Sequence, residues 1–130
     1  MLPTRRALVR STGLLVLGLA LSACAAGDPV DDVLTAPLFL PPGGTLDGLH
    51  LVVPRGRALA FVAQPMGRGE TLKLRIRLTS DDAAVADVAP TVEMNQFVAL
   101  GRSVGEARLS IVDEAGRDAP ITLSVEVVEP

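Results

Sequence analysis

Strict alternation of apolar and polar residues dominates the second half of the chain. In 71–79 (TLKLRIRLT), leucine or isoleucine at every second position alternates with Lys73, Arg75 and Arg77. The same period of two recurs in 107–111 and in 121–127. Because successive side chains of a strand point to opposite faces, each segment is predicted to be a half-buried β-strand.

Shorter apolar segments complete this pattern. Further strands are predicted at 49–53, 58–63, 85–88 and 96–100, and the connecting segments carry the Pro, Gly, Asp and Ser residues typical of turns. About seven short strands in roughly 80 residues, with no segment of helical periodicity, predict an all-β fold that forms one small antiparallel sandwich. The polar strand faces exclude the parallel sheets of nucleotide-binding folds, which are buried on both sides.

The beginning of the chain has the layout of a secretory signal. Three arginines precede the apolar run 13–21 (GLLVLGLAL), and acidic residues follow from Asp28 onward. A spanning helix needs about 20 apolar residues, so this run is too short to be a stable membrane anchor. We therefore predict a cleaved signal peptide over 1–23.

The end of this signal resembles the signals of bacterial lipoproteins. Leu21, Ser22, Ala23 and Cys24 match the leucine, the two small residues and the invariant cysteine of the lipoprotein motif, the lipobox. The resemblance implies a diacylglyceryl group on Cys24, cleavage just before it and an acylated amino terminus, with palmitate as a typical chain. Two or more chains give stable attachment to a membrane. Ala25 after the cysteine, instead of Asp, implies the outer membrane. The alternatives are an ordinary signal with a chance cysteine and a buried apolar helix.

The chain after Cys24 divides into a predicted linker and a predicted domain. Residues 24–45 combine acidic residues with several prolines and glycines, a composition that predicts a flexible linker. Two alternatives remain for the apolar residues within it, Leu38, Phe39 and Leu40: they form an edge strand of the domain or belong to a loose tail. The sandwich is predicted over 46–130.

The stretch 72–128 resembles a bacterial immunoglobulin-like domain of the intimin and invasin type. The matching pieces are Ser80-Asp81-Asp82, Val85-Ala86-Asp87-Val88, 96–100, 105–111 (GEARLSI) and 121–128. Pro90 to Asn95 stands where the family usually has a glycine. The N-terminal domain of pilus-assembly secretin proteins shares much of this pattern and is a close competitor. The first resemblance implies an immunoglobulin-like sandwich, and neither family carries a catalytic site in this module.

Composition narrows the functional classes. The single cysteine excludes a disulfide framework and a Cys-rich zinc site. The 12 basic and 15 acidic side chains give a formal charge of -3. Without the signal, 9 basic and 15 acidic residues remain, which gives a side-chain charge of -6. An acidic chain argues against nucleic-acid binding. The absence of Trp and Tyr argues against a sugar-binding function, because carbohydrate sites usually stack sugar rings on those side chains.

Isolated candidates for catalysis or metal binding have ordinary explanations. His50 is the sole histidine and has no second histidine or free thiol to act with, so a solvent-facing strand position is expected. Asp113, Gly116 and Asp118 could suggest calcium, but the EF-hand spacing is missing and a hairpin turn explains Gly116. A second acidic turn contains Asp81, Asp82 and Asp87. We predict no enzyme, no cofactor and no bound metal, with a hydrolase as the weakest alternative.

The strongest candidate for a contact is the row Lys73, Arg75 and Arg77. On one strand these cations would share a face about 7 Å apart, where they could grip carboxylates or phosphates. The alternative is a solvated face paired with Glu93, Glu106 or Glu126. We predict a lipid-anchored envelope protein whose module contacts a protein partner in an accessory or structural role. The rival is a ligand-binding or ion-binding lipoprotein that uses these cations or the acidic turns.

Overall fold

The computed structural model describes residues 27–130, which form ten β-strands and no helix. The strands are β1 (Asp32–Phe39), β2 (Thr45–Asp47), β3 (His50–Pro54), β4 (Ala58–Gly67), β5 (Glu70–Thr71), β6 (Ile76–Ser80), β7 (Ala86–Pro90), β8 (Gln96–Gly101), β9 (Gly105–Asp113) and β10 (Asp118–Val128). The all-β prediction is confirmed. Nothing in this part of the chain is a helix long and apolar enough to cross a membrane.

The strands form two sheets that pack face to face. The first sheet has the order β1-β4-β8-β7, with β5 paired to β4, and the second has the order β2-β3-β10-β9-β6. All pairs are antiparallel except β3 with β10, which run parallel from His50 and Ser124 onward. The prediction of an antiparallel sandwich is therefore wrong for this one pair. These strands are distant in the chain, so no tight turn forces them to run in opposite directions.

The core lies between the two sheets and follows the period of two. In β4, every second residue from Leu59 to Gly67 is buried, and β9 and β10 alternate in the same way. The rings of Phe61 and Phe97, on neighbouring strands of the first sheet, lie 5.9 Å apart. Close-packed aromatic and branched side chains from both inner faces therefore hold the sandwich together.

The domain begins earlier in the chain than expected. Residues 32–39 form β1, which pairs antiparallel with β4, and Val30 and Val33 are buried in the core. The prediction of a flexible linker over 24–45 is wrong for this stretch, and Leu38 and Phe39 belong to an edge strand. The sequence did not predict this strand because the segment around it contains acidic residues and prolines, and because few of the strand's side chains point into the core. The predicted signal peptide and Cys24 lie outside the described residues.

The predicted strand 71–79 is shorter than its pattern suggested. Residues 72–75 belong to no strand, and β6 begins only at Ile76. The chain crosses between sheets here, because β5 pairs with β4 of the first sheet and β6 pairs with β9 of the second. Leu72 and Leu74 still pack against the core while Lys73 and Arg75 are exposed, which preserves the alternation without a strand.

Candidate functional site

On one side of the sandwich, β6 and β7 lie next to each other as the edges of the two sheets. Each is the last strand of its sheet, and no backbone pairing joins them. A groove of about 320 Å³, which we call the β6–β7 cleft, lies between β6 and residues 90–97, which run from the end of β7 through the following loop into β8. Apolar side chains that include Ile76, Leu78 and Phe97 line it, together with polar and charged residues at its rim. The cleft is therefore an apolar slot beside an unpaired strand edge.

Two of the three predicted contact cations lie at this cleft. Arg75 and Arg77 line it and are exposed, whereas Lys73 lies in the segment that crosses between the sheets and does not line it. Arg77 stands opposite Val112 of β9, so its cross-strand neighbour is apolar. Among residues 27–130, none of the three cations lies within ion-pair distance of a carboxylate. The pairing of these cations with Glu93, Glu106 or Glu126, which was the alternative prediction, is not formed in that part of the chain.

Asn95 closes one end of the cleft. This residue is 5% exposed and has a φ of 60°, in the left-handed region that asparagine tolerates better than most residues. Its Oδ1 accepts a hydrogen bond from the Ile76 backbone N–H at 2.9 Å, and its Nδ2 donates to the Leu74 carbonyl at 2.9 Å. The side-chain amide thus does what the peptide group of a neighbouring strand would do. Asn95 was not among the residues predicted from the sequence to form a site.

Ser80 lies beyond the other end of the cleft, next to Thr79, which lines it. The Ser80 hydroxyl donates to the carbonyl of Ala86 in β7 at 2.6 Å, which joins the two edge strands through a side chain. Between these two ties, no strand pairs with the outer edge of β6 in the region that the structure describes. The middle of β6 is therefore left with an open edge.

A second polar cluster covers the outer face of the second sheet. The parallel register places Ser124 beside His50, and the His50 Nδ1 lies 2.6 Å from the Ser124 Oγ. The His50 Nε2 lies 3.5 Å from Glu126 Oε2, and both of these side chains are more than 40% exposed. The groove here, of about 340 Å³, also includes Arg108. His50 faces solvent as predicted. The Ser124 hydroxyl beside it lies on the open face of the sheet, where it is not shielded from water.

The acidic turn after β9 is a structural hairpin. The Asp113 carboxylate is 2% exposed and accepts hydrogen bonds from the Ala115 N–H at 3.0 Å, the Arg117 N–H at 2.9 Å and the Arg117 Nε at 2.8 Å. Burial alone would raise the pKa of Asp113, but the hydrogen bonds and positive charge of Arg117 outweigh it, and the pKa is lowered. Gly116, with a φ of 83°, makes the turn.

Two carboxylates of the other acidic turn, Asp81 and Asp87, also make contacts within the domain. Asp81 Oδ1 accepts from the Arg108 backbone N–H at 2.8 Å, and Asp87 pairs with Arg102 at 3.2 Å. Across the described residues, no three or more His, Cys, Asp and Glu side chains are grouped so that they could hold a metal ion. Asp81, Asp87 and Asp113 therefore each make internal contacts with neighbouring segments of the chain.

Comparison with known proteins adds information on the fold. No family model and no curated protein matches the chain. The chain is similar to solved domains of the S-layer protein SbsC. Domains 4–9 match with a TM-score of 0.53 over 73% of this chain and 15% of that one, at 17% identity. Domains 4 and 5 match with a TM-score of 0.50 over 72% of this chain and 54% of that one, also at 17% identity. The chain thus spans about half of the shorter structure or less, and the likeness shows a shared β-sandwich fold.

Proposed function

We propose that this protein is a lipid-anchored cell-envelope protein whose sandwich binds a protein partner at the β6–β7 cleft. The observation that carries the contact is an unpaired strand edge flanked by Arg75 and Arg77, neither of which has an ion-pair partner in residues 27–130. Arginine is enriched at protein interfaces, and its guanidinium can bind a carboxylate through two parallel hydrogen bonds. The role is accessory or structural.

The proposed anchor is the lipidated thiol of Cys24, within the sequence Leu21-Ser22-Ala23-Cys24. The resemblance of the chain's beginning to lipoprotein signals supports it, and the similarity of the fold to surface-layer domains fits an envelope location. Only residues 25–31 separate Cys24 from β1, and seven extended residues reach at most about 25 Å. The module would therefore stand close to the outer membrane, and nearer to it than a linker ending at residue 45 would place it.

Metabolic labelling tests the anchor. Cells that express the full chain are grown with a clickable palmitate analogue, beside cells that express Cys24→Ser. We expect label on the wild-type protein and none on the variant, because the thiol is the predicted acceptor. Label that persists on Cys24→Ser would contradict the anchor.

Crosslinking in intact envelopes, followed by purification, tests the protein contact. We compare wild type with Arg75→Glu and with Arg57→Glu, because Arg57 is an exposed cation in the β3–β4 turn, away from the cleft, and has no ion pair in the described part of the chain. We expect a discrete crosslinked species that Arg75→Glu removes and Arg57→Glu retains. If both variants lose it equally, or neither does, the cleft is not the contact.

A small anion bound at the same two arginines is the second candidate function. Arg75 and Arg77 are exposed and line the same cleft, which favours this version over the acidic turns, where Asp81 and Asp113 already accept hydrogen bonds. A bound anion must raise the midpoint of thermal unfolding. A rise with inorganic phosphate that Arg77→Glu abolishes would support anion binding.

A further inference from the structure

We propose that the β6–β7 cleft receives an extended strand whose side chains alternate between apolar and acidic, and that this strand pairs with the open edge of β6. The proposal rests on the function proposed above, because it specifies the chemistry of the partner at the same cleft.

The backbone of β6 is oriented to accept a strand. The Ile76 N–H bonds to Asn95 rather than to β9, so Ile76 directs its backbone groups away from β9. In an antiparallel strand, successive residues direct their backbone N–H and C=O groups to opposite sides. Leu78, two residues after Ile76, therefore directs its N–H and C=O away from β9 as well. Asn95 occupies the N–H of Ile76 but not its carbonyl. The Ile76 carbonyl and both backbone groups of Leu78 therefore face the cleft, as strand addition requires.

The lining of the cleft selects the inward side chains of such a strand. Side chains that point into the sandwich would contact Leu78, the exposed Met94 and the edge of Phe97. The cleft measures about 320 Å³, at the lower limit of roughly 300 to 1,000 Å³ for small-molecule pockets. It is also only partly enclosed. This shape suits a few apolar side chains of a strand better than an enclosed ligand.

The charge at the rim selects the outward side chains. Arg77 points to the outer face of the second sheet, where its neighbour on β9 is Val112. A strand added on the other side of β6 would place its own outward side chains beside Arg77 and near Arg75. Opposite charges on neighbouring strands stabilise a sheet. Glu93 also lines the cleft but makes no ion pair with either arginine. Acidic residues at every second position of the added strand would therefore give both arginines the ion-pair partners that residues 27–130 do not supply.

Peptide binding to the full-length protein in detergent tests this proposal. The probe is a short fluorescent peptide that alternates valine and glutamate, and the matched probe alternates valine and lysine. Fluorescence anisotropy gives the Kd of each. The mature chain carries a charge of -6 by its side chains, so its overall field favours the lysine probe. A preference for glutamate by about tenfold, equivalent to about 1.4 kcal/mol, would therefore require a local cationic site.

Charge reversal and backbone methylation complete the test. Arg77→Glu should weaken the glutamate probe by about tenfold and strengthen the lysine probe, whereas Arg57→Glu should change neither ratio. Methylation of alternate backbone nitrogens in the glutamate probe should abolish binding, because strand pairing needs those N–H groups. A glutamate probe that does not bind, or that binds equally well when methylated, would overturn the strand proposal.

The outcomes separate this proposal from the broader function. If the glutamate probe fails while the envelope crosslink still depends on Arg75, the strand proposal is overturned and the protein contact stands. If the probe binds as described while the crosslink is indifferent to Arg75, the cleft accepts strands and the proposed function in the envelope is wrong.

Discussion

The Asn95 side chain gives the sharpest prediction about how the open edge is held. Asn95→Ala removes two hydrogen bonds of 2.9 Å and leaves the N–H of the buried Ile76 without a partner. A buried group left unsatisfied costs about 1 to 3 kcal/mol. Alanine at a φ of 60° adds about 1 kcal/mol of backbone strain. We expect Asn95→Ala to lower the free energy of unfolding by about 3 kcal/mol.

Two companion variants separate these contributions. Asn95→Gly loses the same hydrogen bonds but relieves the strain, so it should be less destabilising than Asn95→Ala by about 1 kcal/mol. Val92→Ala is the matched control, because Val92 lies in the same loop and is 99% exposed. It should stay within about 0.5 kcal/mol of wild type.

Urea denaturation followed by circular dichroism measures these differences, since the chain has no Trp or Tyr for fluorescence. The slope against denaturant should be the same for all variants, which keeps the comparison valid. If Asn95→Ala unfolds at the same urea concentration as Val92→Ala, the amide does not hold the edge of β6 and the account of the cleft is wrong.

Three further predictions concern the fold and use the same urea measurement. Phe61→Ala should cost about 3 to 5 kcal/mol, because it removes a fully buried ring; a cost below 1 kcal/mol would contradict the packing described. Gly101→Ala should cost about 1 to 3 kcal/mol, because its Cβ would lie 2.9 Å from the Pro54 carbonyl oxygen; an unchanged midpoint would show that the strands can separate there. Asp113→Asn should cost about 2 kcal/mol at pH 7. The folded-state pKa of Asp113 is lowered, so its stabilisation is complete above the unfolded pKa and is lost as the pH falls through the folded one. The gap between wild type and Asp113→Asn should therefore close on acidification, and a gap independent of pH would refute the role of the charge.

The fold class could be predicted because alternation reports directly on a sheet with one buried face. The long strands β9 and β10 have that pattern throughout, and they lie side by side within the second sheet. The same signal failed at 72–75, where Leu72 and Leu74 pack inward without belonging to a strand. Alternation detects side chains that face a core in turn, and it does not detect a chain that crosses between sheets.

The candidate site could be predicted only in part. Arg75 and Arg77 stood out as local cations, but their place at an open edge depends on the order of strands in both sheets, which pairs residues distant in the sequence. Asn95 was missed for the same reason, because its partners lie 19 and 21 residues away. One local signal was present, since the segment ending at Asn95 replaces the glycine usual in the resembling family, and asparagine also tolerates a positive φ.

The central claim is that the partner contacts the edge of β6 rather than the face of the sheet. Site-specific photocrosslinking in living cells tests this claim most directly, with the crosslinker at Thr79 of β6 or at Thr122 of β10. Both positions are exposed, and Ser110 lies between them in the same row across the second sheet. We predict a discrete adduct from position 79 and none from position 122. An adduct from 122 alone, or from neither position, would contradict the claim.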